Sequence, residues 1–238
     1  MTIHRTGSRR PRHEFHAVVW LIGAALASVA PAIDANDSGS SPPSIISLEE
    51  WAGPNRPPSR PDQLKAHSCG IRSIVIHHSE TPAGTLFDER TRLRAIRHYH
   101  LRERQWGEVA YHFFIGSDGT IYQGRDERFQ GDSGTKYDLD GRLLICLLGD
   151  FKSTAPTDEA LAALVRFLDE KRAEHSVSPE SIVTHREVAE TDCPGDALQK
   201  WFESLGRHRF RSPSEAAGNP CAGQGSKHPS EGNGEPNP

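Results

Sequence analysis

Residues 143–148, Leu-Leu-Ile-Cys-Leu-Leu, are apolar without interruption, and a run this short and this uniform reads as a central strand of a sheet. Residues 73–78 are β-branched and short, bounded by Gly70 and Pro82, and read as a second buried strand with His77 and His78 at its carboxyl end. Between these strands, residues 88–104 set Leu93, Ile96 and Leu101 among many charges, the pattern of an amphipathic helix. Its arginines read as a solvated face. Residues 111–115 and 120–124 flank Ser117-Asp118-Gly119, where Asp-Gly offers the positive φ angles of a tight hairpin. Residues 157–172 form a helix capped by Thr157, with Leu161, Leu164, Val165 and Leu168 as the buried stripe. A short strand over 181–184 delivers His185, and a helix over 196–205 closes the unit. This order predicts an α/β fold, a mixed central β-sheet flanked by α-helices in a single domain.

The chain has 238 residues, a net charge of −4 and 35% hydrophobic content, which suits one core with polar extensions. The acidic balance lacks the clustered basic face of a nucleic-acid binder, so no nucleic acid is expected as a partner. Arg5, Arg9, Arg10 and Arg12 precede an uncharged run over residues 17–33. A basic head before an apolar core reads as an export signal over residues 1–33, removed near Ala30 or Ala32. The run approaches the ~17-residue limit of a spanning helix, so an uncleaved anchor is the alternative. Cleavage implies a periplasmic or secreted protein with no stable membrane partner. Residues 34–46 read as a linker, 47–205 as the folded domain, and the Gly-, Pro- and Ser-rich residues 206–238 as a disordered tail. Of the cysteines, Cys146 lies in the apolar run and reads as inert core. Cys69 and Cys221 are either a disulfide or two free thiols.

Chemistry concentrates in two places. One is the His77-His78 pair, the other the segment His185-Arg186-Glu187-Val188-Ala189-Glu190-Thr191-Asp192-Cys193-Pro194-Gly195. The short interval from His185 to Cys193, closed by a Pro-Gly turn, can swing the thiol back beside the imidazole. Two histidines and one cysteine suit Zn2+, and three protein ligands leave a position for water, the mark of a catalytic rather than a structural site. Strand alternation sends His77 and His78 to opposite faces, so only one joins the site, and periodicity does not choose between them.

Over residues 51–205 the order of blocks is more telling than any one of them. Ser47-Leu48-Glu49-Glu50-Trp51-Ala52-Gly53, the His77-His78 strand, Ile96-Arg97-His98-Tyr99-His100, Trp106 to Phe113, Gly116 to Arg125, and the His185 and Cys193 segment follow in sequence. The chain thereby resembles the zinc amidases that cut N-acetylmuramoyl-L-alanine bonds, a superfamily shared with the peptidoglycan recognition proteins. The resemblance implies a single catalytic domain with His77, His185 and Cys193 as zinc ligands. It also places Tyr111 and Thr191 at positions that act beside the metal, and makes peptidoglycan or muropeptides the substrate. His100 and His112 also fall in these blocks, where packing or substrate contact is expected of them. In relatives a Gly-x-His segment follows the hairpin, whereas here Arg125 leads into Phe129-Gln130-Gly131-Asp132-Ser133-Gly134 without a histidine. The rival reading is a recognition module of the same fold that binds muropeptide without cutting it. Such relatives lack the ligand cysteine, and Cys193 is present.

Overall fold

The computed structural model describes residues 44–81 and 88–210. The expected export signal, most of the linker, Cys221 and the tail beyond Phe210 lie outside the described residues. Among the described residues, six strands form one sheet: β1 (Ile45–Ile46), β2 (Ser73–His78), β3 (Phe113–Ile115), β4 (Ile121–Gln123), β5 (Arg142–Leu147) and β6 (Ile182–Thr184). Their spatial order is β1-β4-β3-β5-β2-β6. Of these strands only β3 and β4 pair antiparallel; every other neighbouring pair is parallel. The accompanying helices are α1 (Leu48–Ala52), α2 (Glu89–Arg102), α3 (Asp158–His175) and α4 (Asp196–Leu205). Among the described residues no helix is long and apolar enough to cross a membrane.

The uninterrupted apolar run is the interior strand β5, paired with β2 from Ser73↔Arg142 to His78↔Leu147. Its side chains divide by parity. Leu143, Ile145 and Leu147 join Ile74, Ile76, Leu164, Phe167 and Phe202 in one core cluster, under α3 and α4. Cys146 and Leu148 join Trp51, Leu93 and Phe114 in a second, under α1 and α2. The sheet is thus covered on both faces, which is what all-apolar strands require. Parity also sends His77 to the α2 face and His78 to the α3 face.

Several local expectations change. Ile45 and Ile46, expected in the linker, form β1 and pair parallel with Ile121 and Tyr122. Phe210, expected in the disordered tail, is buried in the α3–α4 core. Of the expected stripe of α3, Leu164 and Leu168 are buried and Leu161 packs against the core, while Val165 lies on the flank and Ala160, Ala163 and Phe167 complete the buried face. In the β3–β4 hairpin only Gly119 takes a positive φ, +81°. The Gly119 N–H donates to Gly116 O and the Gly116 N–H to Thr120 O, a longer loop built on a turn with one left-handed glycine rather than a two-residue turn. Cys69 is disulfide-bonded, and its expected partner lies outside the described residues.

Candidate metal centre

His77, His185 and Cys193 converge at the carboxyl ends of adjacent strands. His77 is the penultimate residue of β2, and His185 opens the turn that follows β6, the strand paired beside it. That turn is fixed by a reciprocal cap: the Glu187 carboxylate accepts from the Thr184 N–H at 2.7 Å, and the Thr184 side chain accepts in return from the Glu187 N–H. Arg186 then ties the returning loop, donating to Asp192 O at 2.6 Å and to Asp196 Oδ1 at 2.7 Å. Gly195 seats the loop on the segment after β5. Its φ is +88°, and a Cβ there would lie 2.4 Å from the Phe151 carbonyl carbon, so no larger residue fits without moving backbone.

One donor atom from each of the three side chains lies within 4.8 Å of the others. Cys193 Sγ is 3.6 Å from His77 Nδ1, and the two imidazole centroids are 4.4 Å apart. Zinc bonds of ~2.0–2.1 Å to nitrogen and ~2.3 Å to sulfur at a tetrahedral angle leave the two donors about 3.6 Å apart. The donor set therefore fits zinc in both chemistry and spacing. Burial first, then the neighbouring His185, His78 and His112, holds His77 well below its ordinary pKa, and burial pushes His185 down to about 4. Both rings are neutral, the form in which imidazole ligates a metal. Burial pushes the Cys193 thiol up to about 12, against the pull of the His78 N–H, which donates to the sulfur at 3.4 Å. A cation is what a thiolate in this setting lacks.

The remaining candidates take distinct places. His78 is on the far face, where its Nδ1 accepts from the Phe151 N–H at 3.3 Å; it braces the segment on which the Cys193 loop rests. The Tyr111 ring lies 5.1 Å from His77, and burial, ahead of the nearby thiols, raises its phenol well above the ordinary value. Thr191 reaches the site through its neighbour, its hydroxyl accepting from the Cys193 N–H at 3.2 Å. His112 is a packing residue whose Nδ1 accepts from the Leu144 N–H and whose Nε2 meets Phe129 O. His100 accepts from the Ala110 N–H. It lines, with Ser79, Arg92, Ile96, Tyr99 and Tyr111, a cleft of about 370 Å³. Two residues were not expected at the site: Thr135, whose hydroxyl is 2.7 Å from His185 Nε2, and Tyr137, whose ring lies 5.1 Å from that imidazole. Glu127, Glu174 and His175 form a second cluster of possible ligands, but the Lys171 ammonium already occupies it, 2.7 Å and 2.9 Å from the two carboxylates.

Residues 67–196, which hold both halves of this centre, match the family described as N-acetylmuramoyl-L-alanine amidase. The chain belongs to that family. Among the relatives of this amidase-family chain, mouse peptidoglycan recognition protein 1 is 31% identical over 170 residues, covering 69% of this chain and 89% of the mouse protein. Peptidoglycan-recognition protein LB of Drosophila melanogaster is 33% identical over 128 residues, 52% of this chain and 55% of the fly protein. Proteins named N-acetylmuramoyl-L-alanine amidase from human and pig are each 30% identical, and the chain spans only 22% and 26% of their length. The solved structure of Drosophila PGRP-LB superposes with a TM-score of 0.60 at 25% identity, covering 70% of this chain and 96% of that one. Amidase-family membership thus includes relatives named as amidases and relatives named as recognition proteins.

Proposed function

We propose that this chain is an exported zinc-dependent hydrolase that cleaves the amide between N-acetylmuramic acid and L-alanine in peptidoglycan or its fragments. The observation that carries this reading is the convergence of His77, His185 and Cys193, with Tyr111, which also lines a cleft, packed 5.1 Å from His77. Zinc at such a site supplies Lewis acidity toward an amide carbonyl and makes water nucleophilic near neutral pH. The side chains supply the rest. The cleft of about 370 Å³ falls within the ~300–1,000 Å³ range of small-molecule sites and mixes an apolar wall, Ile96 and Tyr99, with Ser79, Arg92 and His100. Such a lining suits an acylated sugar carrying a peptide. Tyr111 keeps its proton at any physiological pH, so its hydroxyl is a donor for the carbonyl oxygen as charge develops there. The Thr191 hydroxyl accepts from the Cys193 N–H, and its own proton remains available to a ligand on the same loop.

The presence of Cys193 favours the hydrolase over a binding-only module of the same fold. A relative solved in complex with tracheal cytotoxin, a mutant of Drosophila PGRP-LB, supports muropeptide as the ligand class under either reading. The basic head and apolar run before residue 34 support export with removal near Ala30 or Ala32. Mass spectrometry of the exported protein tests that part, and an intact Met1 in a membrane fraction would favour an anchor. The activity is tested by incubating the mature protein with purified peptidoglycan. New L-alanine amino termini should appear with no new glycan reducing ends, chelator should stop their release and zinc should restore it. A zinc-loaded protein that binds muropeptide and releases no amine would support the recognition module instead.

A further inference from the structure

We infer that Thr135 is a positioning residue for the metal centre: it holds the outer nitrogen of His185, so that Nδ1 is the nitrogen turned to the ion. This rests on the zinc reading above. Its basis is the 2.7 Å contact between Thr135 Oγ1 and His185 Nε2. A neutral imidazole has one N–H and one lone pair, and a nitrogen engaged by a hydroxyl is not free to bind metal, so an ion held by His185 takes the lone pair of Nδ1 and leaves the proton on Nε2. His77 likewise faces Cys193 through Nδ1. Both imidazoles then serve through the same atom, but they differ behind it. Nε2 of His77 is buried without a hydrogen-bond partner among the described residues, so of the two imidazoles it is His185 that has its outer nitrogen engaged.

The hydroxyl is itself built in. Thr135 Oγ1 lies 2.9 Å from Ser133 Oγ, and the Thr135 N–H donates to the same Ser133 oxygen at 3.1 Å. With His185 ligating through Nδ1, its Nε2–H donates to Thr135 Oγ1 and the Thr135 hydroxyl donates to Ser133 Oγ. The Tyr137 ring packs 5.1 Å from the imidazole and limits its rotation. Ser133 follows Gly131 by two residues, where the resemblance leads one to expect histidine. In this chain that stretch supports the metal ligand from behind rather than presenting an imidazole of its own.

The test uses the mature protein with zinc and a competing chelator. Thr135→Val keeps the shape and removes the hydroxyl; it should weaken zinc binding about 10- to 100-fold, the usual cost of losing such an outer partner. Thr135→Ser restores a hydroxyl and should stay within about threefold of wild type. Nitrogen-15 NMR of the zinc form should show a protonated Nε2 on His185 with its exchange slowed, and Thr135→Val should speed that exchange. Thermal unfolding of the metal-free variants identifies any that fail to fold; if Thr135→Val does, the spectrum of wild type decides alone. A zinc-binding wild type with His185 coordinated through Nε2, or a folded Thr135→Val that binds zinc as tightly as wild type, overturns the assignment and leaves the zinc reading standing. A wild type that takes up no zinc overturns both.

Discussion

Cys193 Sγ lies 3.6 Å from Nδ1 of His77, although the two residues are 116 positions apart. That separation matches the edge of a tetrahedral zinc site. One tightly held zinc per chain is expected in the wild type. Cys193→Ser replaces a thiolate with a poor ligand and should lose most of it on dialysis. Equal zinc in the two proteins by elemental analysis would sink the ligand assignment.

His77 and His78 occupy opposite faces of β2 and should separate cleanly by mutation. His77→Ala should abolish zinc retention. His78→Ala should retain zinc more weakly or lose stability, since it removes the acceptor for the Phe151 N–H beneath the Cys193 loop and costs about 1–3 kcal/mol. Chelator competition and chemical denaturation on both variants give the comparison; the reverse pattern would place the site on the other face.

Tyr111→Phe deletes one hydroxyl and leaves the ring against His77. If the hydroxyl donates to the developing oxyanion, kcat/KM on a muramoyl peptide should fall about 10²- to 10³-fold, or roughly 3–4 kcal/mol, with zinc content unchanged. A variant as active as wild type removes Tyr111 from the chemistry.

Acid should destabilise the fold through His112. Burial, aided by Arg125 and His67, pushes its ring down to about 4 against the pull of Phe129 O, and protonating Nδ1 would oppose the Leu144 N–H it accepts from. Above pH 6.5 the ring is neutral both folded and unfolded, and its contribution is fully present. As pH falls from 6.5 toward 4 the unfolded chain takes up the proton first, so stability declines by roughly 3 kcal/mol on this account. Denaturation from pH 7.5 to 4, with NMR of the ring, measures both; a ring that titrates near 6.5 in the folded protein contradicts it.

The sequence discloses whatever is decided locally. The parity of β2 separates His77 from His78 by alternation alone, the cap at Thr157 marks the start of α3, and the Pro-Gly turn brings Cys193 back toward the sheet. Contacts set by distant segments leave no such trace. Thr135 and His185 meet across 50 residues, and the Ser-Gly-Thr stretch that makes the contact has no periodicity to read. β1 is two residues long and exists only because Ile121 and Tyr122 lie alongside it. Phe210 follows Arg207-His208-Arg209 in a polar stretch and is buried in the core cluster that α3 and α4 share. The partial turn of the α3 stripe has a different cause: Phe167 shares the helix with enough other apolar residues that a face turned toward Val165 fits the pattern nearly as well.

β6 lies at the edge of the sheet beside β2, and it carries His185 directly behind it. A chain that emerges amino-terminal end first presents His77 long before the remaining two donors exist in space. The three donors cannot come together until β6 has docked and residues 185–193 have followed. On the zinc reading, metal loading is therefore a late event in the life of each molecule. A chain stalled or clipped before Cys193 would carry the sheet's interior and yet hold no complete set of donors.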